Sequence, residues 1–119
     1  MGFMNTIYGI KNCDTCRKAL KWLKTEGIKH RFHDLRAEGL EVTDVTRWIS
    51  AVGWEVLLNR RSTTWRKLPE MDKSGIDDKK AIGLMLANPT LVKRPVFELG
   101  GNIVVGFKDG ERQQVRDGG

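Results

Sequence analysis

The chain has 119 residues, 39% of them hydrophobic and 30% charged, with 21 Lys and Arg against 15 Asp and Glu and a formal charge of +6. That length and apolar content describe one globular domain that buries roughly two-thirds of its unfolded surface, and they exclude two domains and any need for a disulfide scaffold or structural metal. No apolar run of about 18 residues spans a membrane and no export signal opens the chain, so a cytosolic setting is expected.

In such a setting two cysteines do not form a permanent disulfide. The basic balance suits nucleic acid, an acidic protein surface or a small anion, and does not choose among them. Met1-Gly2 followed by Thr6 matches a myristoylation pattern, read as chance because Thr6 opens a strand.

In chain order, Thr6 to Ile10 is a β-rich run, and Lys11-Asn12-Cys13-Asp14 leads into a helix with Ala19, Leu20, Trp22 and Leu23 at helical spacing, stopped by Gly27. Ile28 to Leu35 reads as a second strand with Ile28 and Phe32 on one face, which makes the opening a right-handed parallel βαβ unit. Behind a Thr43 cap, Val45, Trp48, Ile49 and Val52 line an amphipathic helix that ends or bends at Gly53. Trp54 to Leu58 and the basic stretch Asn59 to Leu68 follow. A further helix runs from its cap Asp77 to Ala87 and stops at Asn88-Pro89. Val96 to Leu99 and Ile103 to Phe107 then flank Gly100-Gly101-Asn102 as an antiparallel hairpin. Lys108 to Gly119 is a polar tail, weakly helical, with Gly118-Gly119 fraying. The class is α/β, with helices dominating about residues 43 to 88.

Cys13-Asp14-Thr15-Cys16 carries the chemistry. Cys13 stands where free N–H groups and the helix dipole favour a thiolate, and Cys16 lies one turn deeper on the same face. Lys11, Arg17 and Lys18 add to that field and Asp14 opposes it. The outer sulfur is thus the nucleophile and Cys16 the thiol that resolves its mixed disulfides. His30 and His33 complete a zinc-finger-like series on paper. On a strand, however, an odd separation sends them to opposite faces, so no metal is expected.

Arg60, Arg61, Arg66 and Lys67 cluster around Thr63 and Thr64, a set suited to a small anionic thiol or an oxyanion through forked, charge-assisted hydrogen bonds. Trp54 and Trp65 interleave with this charge. Trp22, Trp48 and Trp54 nevertheless fit apolar helix faces and no nucleic-acid motif is present, so no direct nucleic-acid partner is expected.

Tyr8-Gly9-Ile10-Lys11-Asn12-Cys13-Asp14-Thr15, Leu58 to Leu68, and Val92-Lys93-Arg94-Pro95-Val96 together resemble the ArsC/Spx/YffB family, most closely its YffB-like branch. The resemblance implies a thioredoxin-like fold with a helical insertion between its halves, the whole forming one domain. It also implies that Arg60 and Arg94 stand beside the nucleophile, that Lys11, Asn12, Thr63, Thr64, Arg66, Pro95 and Lys108 contribute to the substrate site, and that the Arg94-Pro95 bond is cis. Two features depart from the arsenate reductases of the family: Gly9 stands where they carry His, and Lys108 near where they place a third Arg. Cys16 departs from the YffB-like branch toward the Spx arrangement.

The expected function is a thiol-dependent reductase with no bound cofactor, using glutathione or glutaredoxin as reductant, with thioredoxin as a further candidate partner. The alternative is a redox-sensing regulator of the Spx type that binds RNA polymerase, against which stand the Asn59 to Leu68 motif and the short tail.

Overall fold

The computed structural model describes residues 5 to 118; the Met1-Gly2 pattern and Gly119 lie outside them. Strand β1 (Thr6–Gly9) leads to helix α1 (Asp14–Thr25) and strand β2 (Arg31–Asp34), and β1 pairs β2 in parallel, as the βαβ reading requires. Strands β3 (Val96–Leu99) and β4 (Asn102–Val105) form the hairpin, and the sheet order is β2-β1-β3-β4. The central strand is therefore parallel to one neighbour and antiparallel to the other.

Period-two alternation sorts the sheet faces. Ile7, Phe97 and Val104 lie abreast in the register and join Ala19, Leu23, Leu99 and Val115 in one buried cluster, with Phe32 packed against it. Tyr8, Val96 and Val105 form the neighbouring row, where the Tyr8 ring sits 4.9 Å from that of His33.

Strand β2 is shorter than expected because the end of α1 takes its first residues. The Gly27 N–H donates to the Lys24 carbonyl at 3.2 Å and the Ile28 N–H to that of Leu23 at 3.0 Å, a Schellman closure around Gly27 at φ 70°. Ile28 thus spends its donor on the helix, and the His30 ring nitrogen Nδ1 lies 2.8 Å from the Ile28 carbonyl. His30 precedes the strand, while the His33 Nε2 lies 2.9 Å from the Gly39 carbonyl.

Residues 40 to 93 form a separate compact unit, and residues up to 39 with those from 94 onward form the other. In the helical unit, α2 (Val42–Val52) is capped by a box between Glu41 and Asp44; Thr43 lies inside the first turn and not at the cap. Gly53, at φ 87°, turns the chain into α3 (Trp54–Leu57). The basic stretch contains the short helix α4 (Thr63–Lys67), capped by the Ser62 hydroxyl, and α5 (Glu70–Lys73) follows. Helix α6 (Asp78–Ala87) begins at the Asp77 cap as expected. Val45, Trp48, Leu57, Ala81, Met85, Leu91 and Val92 are fully buried in this unit, and a bridge joins Leu58 to Val92.

The tail is more ordered than its polarity suggests. Helix α7 (Asp109–Gly118) is anchored by the fully buried Val115, and Gly118 is its last residue, not a frayed end. Arg112 lies over the Phe107 ring at 5.0 Å, and Arg116 lies over Trp22 at 5.2 Å while its Nε pairs with Glu26 at 2.9 Å. Phe107 falls outside β4 because Gly106, at φ 103°, breaks the strand. Among the described residues no helix is long and apolar enough to cross a membrane. Phe97 sits at the centre of the sheet cluster, so Phe97→Ala should cost about 3–5 kcal/mol of unfolding free energy in chemical denaturation.

Candidate active site

Cys13 occupies the N-cap of α1 in extended conformation, and Cys16 stands at the third helical position. The Cys13 N–H donates to the Ile10 carbonyl at 3.1 Å and its carbonyl accepts from the Arg17 N–H at 3.0 Å, so backbone bonds fix it on both sides. Both thiols are free; Cys13 is half-buried and Cys16 fully buried.

The two sulfurs have opposite electrostatics. Burial pushes the Cys13 thiol up, but the Cys16 N–H, the Cys16 thiol, and the hydrogen bond and charge of Arg94 together bring it below the ordinary cysteine value. Burial also pushes the Cys16 thiol up; the Ile10 N–H opposes this, the Cys13 charge adds to it, and the result is about 12. Of the two thiols, Cys13 is therefore the one that ionises first.

The cation acting on Cys13 is Arg94, which reaches it across the sheet. Arg17 is occupied locally by its ion pair with Asp14, and Lys11, Asn12 and Lys18 are exposed. The Arg94-Pro95 bond is cis, as the motif implied, and the Pro95 carbonyl accepts from the Gly106 N–H at 2.9 Å.

The other basic-motif residues belong to the helical unit. The Arg60 guanidinium lies 5.7 Å from the Trp54 ring centroid, and the Thr64 and Thr90 hydroxyls are 2.8 Å apart. Arg66 donates to the Arg61 carbonyl at 3.3 Å, and Thr63 begins α4 in an exposed position. Lys108 precedes α7, its backbone N–H donating to Glu111 Oε1 at 2.8 Å. The structure therefore brings together Cys13, Cys16 and Arg94 with the adjoining Pro95.

Asp34 lies outside the residues that the motifs single out. Its buried carboxylate accepts from the Lys11 N–H at 3.1 Å through Oδ2 and from the Arg36 and Ala37 N–H groups at 2.8 and 3.1 Å through Oδ1. It ties the end of β2 to the loop that presents Cys13. Burial acts to raise the Asp34 carboxyl, but those N–H groups and the Lys11 charge hold it below the ordinary value.

A carboxylate with a depressed folded pKa contributes stability above its unfolded pKa of about 3.9 and loses it as pH falls through the folded value. Asp34→Asn should thus lower stability by about 1–2 kcal/mol near pH 7, by the loss of charge-assisted hydrogen bonds. The gap between variant and wild type in urea midpoints should narrow below about pH 4.

A family model described as ArsC family matches residues 8–115. An uncharacterised protein of Haemophilus influenzae is 47% identical over 110 residues, covering 92% of this chain and 96% of that protein. The solved structure of a YffB protein superposes with a TM-score of 0.90 at 44% identity, covering 98% of this chain and all of the other (100%). The global transcriptional regulator Spx of Streptococcus mutans is 26% identical over 110 residues, covering 91% of this chain and 80% of that protein. With its α/β, thioredoxin-like fold and a cysteine pair at the start of the first helix, the chain belongs to the ArsC family.

Proposed function

We propose that the chain is a cytosolic thiol–disulfide oxidoreductase, linked to glutathione or glutaredoxin, that acts on a small anionic thiol or disulfide. The observation that carries this reading is the asymmetry of the pair: a half-buried sulfur whose ionisation Arg94 and the Cys16 N–H favour, and a fully buried partner one turn away whose thiol is pushed up to about 12.

Cys13 thiolate attacks a disulfide RSSR, forming Cys13–S–S–R and releasing one thiolate. Cys16 loses its proton to solvent and attacks the Cys13 sulfur, forming the Cys13–Cys16 disulfide and releasing the second thiolate. Two electrons pass from the protein to RSSR, and two glutathione thiols restore the pair while becoming glutathione disulfide. Arg94 stabilises the attacking charge, and Arg60 with Thr63, Thr64 and Arg66 offers the helical unit's own donors to an anion. Arsenate is disfavoured as the natural substrate by Gly9 and Lys108, which replace the residues those reductases use.

The Spx-like relative favours a second reading, in which the same pair switches a surface that docks onto RNA polymerase. Absence of disulfide reductase turnover, together with polymerase capture by the purified chain, would establish that reading in place of the first.

Iodoacetamide alkylation followed against pH tests the assignment of roles. Cys13 should titrate below the ordinary thiol value of about 8.5, and Arg94→Ala should raise it and slow alkylation near neutral pH. Cys13→Ser should abolish reaction with a disulfide, whereas Cys16→Ser should form the first mixed disulfide and stall there until glutathione is added. A wild-type Cys13 that titrates as a free thiol would sink the activated-nucleophile reading.

A further inference from the structure

We propose that Gly9 is a positioning residue for closure of the Cys13–Cys16 disulfide: its absent side chain is the space that the Cys16 sulfur occupies. The inference rests on the reading of the two cysteines as a redox pair. A Cβ added at Gly9 would fall 2.6 Å from Cys16 Sγ, 3.3 Å from Cys16 Cβ and 3.2 Å from Phe32 Cε1. Carbon contacts are favourable only near 3.5–4.0 Å, so the first of these is a collision. Gly27, Gly39, Gly53 and Gly75 adopt positive φ with open space around them, whereas Gly9 has no such φ and is crowded. Its glycine serves space and not backbone conformation.

Neither partner in that collision can yield without consequence. Gly9 pairs with Asp34 in the parallel ladder and its carbonyl accepts the Leu35 N–H at 2.8 Å, so the strand is held in place. Phe32 stands on the adjoining side. Cys16 has one side-chain torsion, and rotating it to the next staggered well removes the sulfur from the Ile10 N–H and from Cys13, which it contacts now. Disulfide formation needs the two Cβ atoms about 3.5–4.5 Å apart with both sulfurs turned toward each other. A methyl at position 9 therefore leaves the first attack by Cys13 possible and obstructs the second step, in which the Cys16 sulfur bonds to that of Cys13 and the thiolate RS⁻ departs with the electron pair of the broken bond.

The test compares wild type, Gly9→Ala, Cys16→Ala and the double variant Gly9→Ala/Cys16→Ala. Equilibration of wild type and Gly9→Ala in dithiothreitol redox buffers, with the Cys13–Cys16 disulfide quantified, should show at least a tenfold smaller constant for closure in Gly9→Ala, about 30 mV. Mixed-disulfide formation at Cys13 should persist. Thermal unfolding should show Gly9→Ala costly beside Cys16 and much less costly in the Cys16→Ala background, since removing the sulfur removes the collision. If Gly9→Ala alone fails to fold and the double variant folds, the collision is with the sulfur and the inference stands. Closure at the wild-type constant, an equal loss of stability in both backgrounds, or unfolding of both variants overturns it. The redox equilibrium does not depend on Cys13 being an activated nucleophile. Failure of that reading shows in the wild-type alkylation profile and stays separate from failure of this one.

Discussion

Pairing of β1 with β3 is the constraint on which the site depends. It runs Tyr8 against Val96, and so delivers the Arg94-Pro95 segment, distant in sequence, to the end of the strand that feeds the cysteine loop. The parallel pairing of β1 with β2 does the same from the other side and brings Asp34 under Lys11. A central strand bonded on both edges cannot drift. The sulfur at the mouth of α1 is consequently placed by the sheet as much as by its own helix.

Within that frame, charge and burial divide the labour between two chemically identical side chains. Cys13 is near a guanidinium and an N–H donor, and Cys16 is fully buried with its sulfur beside Gly9. A second negative charge at the pair is disfavoured, since the Cys13 charge raises the Cys16 thiol. The Asp34 carboxylate is engaged with the backbone N–H groups of Lys11, Arg36 and Ala37 and so holds the loop in position.

Much of this is legible in the sequence because it is local. The Asp77 cap, the Gly27 stop, the period-two hairpin and the C-x-x-C pair at a helix entrance all signal within a few residues. Thr43 misleads because Glu41 and Asp44 cap each other and so start the helix earlier. The cation at Cys13 is also only partly readable: Arg17 is nearest along the chain, but its Asp14 partner is in the same turn, and Arg94 takes the role through tertiary pairing. Val115 shows the same limit, since one apolar residue in a polar tail has no period to betray it. In the sequence Gly9 stands out only as the lack of a histidine, a loss; its space for a sulfur is visible only when the helix is laid on the strand.

The long interval between the cysteines and Arg94 bears on the order in which the protein matures. A chain synthesised as far as Gly39 already contains both sulfurs and the residues of α1, β1 and β2, but not the guanidinium. The helical unit must be made before Arg94 emerges and β3 can close against β1. Until then Cys13 lacks the Arg94 charge that favours its ionisation. Full reactivity is therefore acquired late, as a property of the completed sheet, and a nascent or truncated chain carries the cysteine motif without the Arg94 half of its activation.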